Sequence, residues 1–340
     1  MKVISNKYHH IISVDNLLDA WREFAVGKRS RKDVQLFERD LMANILKLHQ
    51  DLIDGTYQHS KYHPFKISDP KPRSIHKANV RDRLLHKAIY RTLYPVFDKT
   101  FIHGSYSCRN EKGTHKAFEK LNQITRKISK NYIQPCFALK CDIRKFFDSI
   151  DHNILIGLLE ERIADEKLLD LLKNIIQSFE HSPGKGMPLG NLTSQLFANV
   201  YMDPLDKFVK HKLKAKHYLR YADDFVLLSN NQDELLGYLV EINQFLKGRL
   251  KLNLHPNKIS IRKLNWGIDY VGYVTLPHYN LPRNKTIRRI FKNLSKSIDR
   301  EDDNLESRYQ SYLGYLSHAD SYKTRLYLED LMSERNTIAV

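Results

Sequence analysis

Apolar residues recur at three- and four-residue steps through the first fifty positions. Leu17, Leu18, Trp21 and Phe24 share one helical face, and Val34, Phe37, Leu41, Ile45, Leu48 and Leu52 extend the pattern until Gly55 ends it. Over 57–75 the texture shortens to that of strands around Asp69-Pro70-Lys71-Pro72, which predicts a hairpin with Lys71 and Arg73 near its tip. Asn79 is placed to cap a helix with Val80, Leu84, Ile89 and Leu93 on its apolar positions. After a loop over 104–113, a helix runs to about Lys130, and a strand over 136–141 delivers Asp142 at its end. Helical patterns over 154–179, a Gly/Pro loop over 183–190 and a helix from about Thr193 lead to a hairpin around Tyr221-Ala222-Asp223-Asp224. A helix over 235–250, two or three short strands over 258–276 and a basic helix from Lys285 complete the pattern. In that last helix Ile290 and Leu294 oppose Arg288, Arg289, Lys292 and Lys296. Helices interspersed with a few short strands predict an α+β fold.

Composition narrows the partner. With 56 Lys+Arg against 39 Asp+Glu the 340-residue chain carries a formal charge of +17, and 41% hydrophobic residues suffice for a core. Only 13 Gly and 11 Pro, with 19 Tyr and 15 Phe, argue against collagen-like and disordered chains. No apolar stretch approaches bilayer length, and the first ten residues turn polar before a signal core forms, so a soluble, cytoplasmic protein is expected. The basic residues are spread over most segments rather than set beside one apolar face, which favours nucleic acid over a membrane surface. Cys108, Cys136 and Cys141 lack metal or disulfide spacing and are expected to be reduced.

The chemistry lies in the acids. Two adjacent carboxylates, Asp223 and Asp224, stand between apolar strands, and a third, Asp142, ends another. A lone Asp-Asp is ordinarily a solvated turn; a second site of the same kind changes the reading, because neighbouring strands would bring the three together. Such a cluster repels itself unless hard cations neutralise it, which selects Mg²⁺ or Mn²⁺. Two ions ~4 Å apart are what in-line phosphoryl transfer uses. Asp148 and Asp151 read instead as part of a helix N-cap region.

These segments, with Pro188-Leu189-Gly190-Asn191-Leu192-Thr193-Ser194-Gln195, Lys258 after Asn253-Leu254-His255-Pro256-Asn257, and Tyr270-Val271-Gly272-Tyr273, follow the order of palm motifs. Lys71-Pro72-Arg73, Arg81-Asp82-Arg83 and Ser105-Tyr106-Ser107-Cys108-Arg109 match fingers motifs. The chain resembles the reverse transcriptases from about residue 15 to about residue 320, and looks most like those of diversity-generating retroelements. That subtype rests on Leu189 before Gly190, where other groups usually have Gln, on Ser194-Gln195, and on Tyr315-Leu316-Ser317-His318-Ala319. Ending at Val340, the chain is expected to lack a nuclease, integrase or maturase extension.

The resemblance implies a right-hand polymerase: an N-terminal helical extension over 1–56, fingers over 57–135, a palm of antiparallel sheet and helices over 136–282, and a helical thumb over 283–340. It implies that Asp142, Asp223, Asp224 and the Ile143 carbonyl hold two Mg²⁺, with Lys258 protonating pyrophosphate. Lys71 and Arg73 would grip the deoxynucleoside triphosphate (dNTP), Phe147 would exclude a 2′-hydroxyl, and Leu189, Gly190 and Gln195 would shape the nascent pair. Arg109, Gly272, Tyr273, Arg288, Arg289, Lys292 and Lys296 would contact nucleic acid, and Phe146 is expected in the core. The expected partners are a template RNA, its cDNA duplex and a small helical accessory variability protein. Three functions follow: a polymerase copying a template-repeat RNA with adenine-directed mutagenesis, a retron-like or anti-phage defence enzyme of the same chemistry, and a catalytically silent RNA-binding protein on a palm scaffold.

Overall fold

In the computed structural model, which describes residues 4–69, 71–300 and 302–338, the chain is a mixed helical and antiparallel-sheet protein whose contacts form two units. The first unit draws on residues 1–109, 143–214 and 241–255. Helix Val14–Ala25 packs along Val80–Asp98, burying Leu17, Ala20 and Trp21 with Leu84, Leu85 and Ala88, and Leu192–Lys207 packs on the same long helix. The pattern from Val34 to Leu52 is not continuous: it divides into Lys32–Arg39 and Leu41–Ile53 at Asp40. The break is closed by a side chain, since Asn44 Nδ2 donates to the Phe37 carbonyl at 3.0 Å, and Phe37 lies 5.2 Å from the Trp21 ring.

The same unit holds the hairpin β1 (His63–Ile67) and β2 (Arg73–Lys77), paired from His63↔Lys77 to Ile67↔Arg73. Of the expected turn, Pro70 lies outside the described residues. Asn79 occupies the N-cap position of Val80–Asp98 but makes no capping bond; its Oδ1 accepts from His63 Nε2 at 2.9 Å, which ties the helix entrance to the hairpin. Asp151 does cap Val-free helix His152–Glu160, accepting from the Ile154 amide at 3.2 Å.

The second unit, residues 110–142, 215–240 and 256–340, contains β3 (Phe137–Asp142), β4 (His217–Tyr221), β5 (Asp224–Ser229) and β6 (Ser260–Lys263) in the order β4-β5-β3-β6. A second sheet contains β7 (Ile268–Tyr270), β8 (Tyr273–Thr275) and β9 (Asn280–Pro282); β6, β7 and β8 are three short strands within 258–276, as expected, and β9 lies beyond that span. Helix Thr114–Ile128 underlies it through Phe118, stacked 4.5 Å from Tyr273, and through Asn122, which accepts from the Thr275 hydroxyl. Helices Asn284–Asp299, Leu305–Leu316 and Tyr322–Ile338 share a core of Ile290, Leu294, Leu305, Leu316 and Leu328. The cysteines are free, with Cys136 and Cys141 buried and Cys108 exposed.

A buried acid fixes the segment leading into β1. Asp82, fully buried, accepts from the Tyr57 hydroxyl at 2.9 Å and from the Ser60 amide at 3.1 Å. Burial, reinforced by this carboxylate, holds the Tyr57 phenol well above its ordinary pKa. Asp82→Ala leaves one buried donor, the Tyr57 hydroxyl, and one part-buried donor, the Ser60 amide, without their acceptor and is expected to lower the unfolding free energy by about 3 kcal/mol, against about 1.5 kcal/mol for Tyr57→Phe. Urea titration of the two variants measures the difference.

Candidate active site

The register of the central strands opposes two acids. Asp142, the last residue of β3, pairs with Asp224, the first of β5, and Asp223 precedes it in the tight turn from β4. Ala222 takes a left-handed φ of +55° in that turn, unusual for a residue with a Cβ. What holds it is Arg220, wholly buried, whose Nη1 donates to the Ala222 carbonyl at 3.0 Å. The sequence does not single out Arg220, because an arginine in an apolar strand carries no sign of where its charge goes.

Lysines answer the acids. Lys258 Nζ donates to Asp142 Oδ1 at 2.8 Å, and Lys140 Nζ lies 3.4 Å from Asp224 Oδ2. Asp224 Oδ1 is buried with no hydrogen-bond partner. Burial pushes the Asp224 carboxyl up to about 6; Lys140 pulls against this, while Asp142 and Asp223 add to it. Among the described residues no three His, Cys, Asp or Glu side chains are gathered as a ready metal cage. The donor chemistry nonetheless suits a hard divalent cation: carboxylate oxygens only, one of them an orphan that protein groups leave unsatisfied.

In the first unit, Ile143 is buried and bridges to Leu254, and Phe146 is buried while Phe147 is half-buried, its ring 5.2 Å away. The Met187 amide donates to the Phe147 carbonyl at 2.8 Å, hooking the 183–190 loop onto this turn. The loop's far end grips β2: the His76 amide donates to the Leu189 carbonyl at 3.1 Å and Asn191 Nδ2 donates to the His76 carbonyl at 3.1 Å. Gly190 (φ +105°) sits where a Cβ would come within 2.9 Å of Ile75 Cγ2, so the close approach requires glycine. Leu189 is half-buried, and Gly190, Gln195, Lys71 and Arg73 are exposed. A cavity of about 420 Å³ lined by Gly190, Asn191 and Gln195 also takes in Lys28, Arg31, Arg83 and Lys87. Partial burial, with Arg31, Arg83 and Lys87 nearby, holds the Lys28 ammonium below its ordinary pKa.

Two residues expected to touch nucleic acid are built inward. Arg109 donates to Asp98 Oδ1 at 2.6 Å and to the carbonyls of Ile102, Ser105 and Asp98, and its side chain is 7% exposed; it braces its own loop. Tyr273 is wholly buried, donating to the Tyr315 carbonyl at 2.9 Å, so only the turn above it, with positive φ at Val271 and Gly272, faces outward. Arg288, Lys292 and Lys296 are exposed along helix Asn284–Asp299, and Arg289 is half-buried. Lys258 is exposed beyond its contact with Asp142.

The central strands bring Asp142 and Asp224 to one end of an antiparallel sheet, and a family comparison bears on what that end does. The model of the reverse transcriptase (RNA-dependent DNA polymerase) family matches residues 66–275, well over half of the chain, and the chain belongs to that family. The group II intron-encoded protein LtrA of Lactococcus lactis subsp. cremoris is 23% identical over 326 residues, covering 75% of this chain and 53% of that protein. Protein YkfC of Escherichia coli is 24% identical, covering 70% and 72%, and the putative COX1/OXI3 intron 2 protein of Saccharomyces cerevisiae is 23% identical, covering 67% and 33%. The chain thus spans between a third and about half the length of these two intron-encoded relatives.

The raised Asp224 pKa has a definite sign. The folded carboxyl holds its proton to about pH 6, and an unfolded one to about pH 4, so Asp224 costs stability that grows across that interval and is constant above it. In EDTA at pH 8, Asp224→Asn is expected to be more stable than wild type by about 1–2 kcal/mol, a gain that vanishes below about pH 4. Denaturant unfolding at several pH values checks it.

Proposed function

We propose that this chain is an RNA-directed DNA polymerase of the diversity-generating type, its palm over 136–282 flanked by fingers over 57–135 and a thumb over 283–340. The observation that carries the reading is the opposition of Asp142 and Asp224, with one Asp224 carboxylate oxygen buried without a hydrogen-bond partner. Asp142, Asp223, Asp224 and the Ile143 carbonyl would hold two Mg²⁺ ions, which when bound would supply Lewis acidity at a primer 3′-hydroxyl and at the leaving oxygen. Around them the chain's own groups bind and orient. Lys71 and Arg73 grip the triphosphate, Lys258 Nζ donates a proton to pyrophosphate, and the Phe147 ring excludes a ribose 2′-hydroxyl. Leu189, Gly190 and Gln195 shape the nascent pair, and the electropositive cavity beside them receives template phosphates. The Gly272 turn supports the primer, while Arg288, Arg289, Lys292 and Lys296 follow the duplex backbone.

The subtype rests on the Leu189-Gly190 and Ser194-Gln195 pattern and implies a template-repeat RNA and a small helical accessory protein as partners. Two basic proteins would not attract by charge, so shape, apolar contact or shared RNA joins them. Among the described residues no helix is long and apolar enough to cross a membrane.

Primer extension on an RNA template with Mg²⁺ tests the class. Asp223→Asn is expected to abolish synthesis, a loss of at least about 10³-fold, while RNA binding stays near wild type and weakens steeply with salt. Substantial synthesis by that variant would remove the site assignment, and binding without synthesis by wild type would favour the silent scaffold.

For the subtype, Leu189 offers apolar contact where the resemblance implies that other reverse transcriptase groups usually place a hydrogen-bonding Gln. Each absent polar contact is worth about 1 kcal/mol, enough to shift insertion ratios severalfold. Sequenced cDNA from a defined RNA is expected to carry excess errors opposite template adenine, reduced severalfold by Leu189→Gln. Uniformly low error at all four bases would point to a defence enzyme.

A further inference from the structure

Asp269, in the middle of β7, is held at both of its polar ends. Its backbone carbonyl accepts from Lys140 Nζ at 2.8 Å, and its Oδ1 accepts from Arg283 Nε at 2.8 Å and from Arg283 Nη2. Lys140 lies in β3, two residues before Asp142, with its ammonium 3.4 Å from Asp224 Oδ2. Arg283 enters helix Asn284–Asp299, and its amide donates to the Gly272 carbonyl at 3.0 Å. The Tyr315 hydroxyl donates to that carbonyl as well, at 2.5 Å. A continuous path therefore runs from Asp224 through Lys140, Asp269 and Arg283 to the Gly272 turn, all within one unit.

From this geometry we infer that Lys140 is a positioning residue, a strut that fixes the Asp224 carboxylate relative to the β7–β8 turn. The inference deepens the polymerase reading, in which that turn carries the primer end. A simple counter-charge would sit closest to the carboxylate. Lys140 instead makes its shorter contact with a neutral carbonyl, and an ammonium with three donors and no acceptor can serve both partners at once. Its side chain is 22% exposed, so little water competes for those donors. Arg283 completes the strut because its fork holds the Asp269 side chain, and with it the peptide whose carbonyl Lys140 needs. Sliding that strand by a fraction of an ångström moves the primer end relative to the carboxylates, and an error of about 1 Å in reacting geometry costs up to about 10²-fold in rate.

Lys140→Met keeps the aliphatic stem and removes the donors; Arg283→Met does the same at the other end. Pre-steady-state single-nucleotide extension on a preformed primer–template separates rate from active fraction. Each single variant is expected to lower the burst rate about tenfold, with burst amplitude, primer–template Kd and apparent dNTP affinity within about twofold of wild type. The double variant is expected to be no slower than the slower single one, because both break one path. Losses that multiply in the double variant, an unchanged rate in Lys140→Met, or a fall in amplitude alone would each overturn the strut. Thermal unfolding of the same four proteins in EDTA reads the coupling without any synthesis. A double-variant shift smaller than the sum of the single shifts supports the strut, and additive shifts overturn it. Should wild type extend no primer, the polymerase reading fails and the unfolding cycle still decides the strut.

Discussion

Two like charges facing each other across adjacent strands form the constraint around which the second unit is organised. Directly opposed acids on an antiparallel pair are unfavourable, and partial burial makes them more so. Strand order β4-β5-β3-β6 sets Asp142 and Asp224 on the two inner strands, where solvent relief is least. The compensation comes from two directions: Lys140 from β3 itself and Lys258 from the turn before β6. No one of these cations neutralises the pair alone, so the sheet must form before the acids can be tolerated. An unsatisfied oxygen on Asp224 remains after both, and it marks the place where the fold itself leaves the electrostatics unfinished.

Much of this was legible because the signals were local. An acid closing an apolar strand, an Asp-Asp between two more, and a hairpin flanked by turn residues each depend on a few neighbouring positions, and β3, β4 and β5 lie where the pattern put them. Asp151 was readable as a cap for the same reason. Features that depend on distant partners were not legible. Asp40 interrupts a helical period because Asn44 supplies a substitute donor, and Asn79 gives up its cap for His63. Arg109 and Tyr273 carry surface-facing chemistry in sequence, yet their partners, Asp98 with Ile102 and Phe118 with Tyr315, draw them inward. Lys140 lies more than a hundred residues from Asp269 and Arg283, and nothing in any one of their segments announces the others.

The first unit shows how a family motif can be a mechanical part. The 183–190 loop is joined at one end to the turn bearing Phe147 and at the other to β2, so a stretch that reads as a binding loop also works as a clamp. Gly190 is required there by backbone geometry and by Ile75 at once. Its leucine neighbour contributes its carbonyl to the clamp and leaves its side chain for other use.

The β1–β2 ribbon has no buried residue in either strand, and a two-stranded ribbon alone is marginal in water. Its root is gripped at His76, while Lys71 and Arg73 occupy its far end. Order in the ribbon and order in the 183–190 loop are therefore thermodynamically linked, and linkage is reciprocal. A ligand that stills the lysine and arginine tightens the loop by the same free energy with which a ligand seated on the loop stills the ribbon. Ribbon tip and loop can in this way report on each other through two hydrogen bonds at His76, one from its amide and one to its carbonyl, with no moving domain between them.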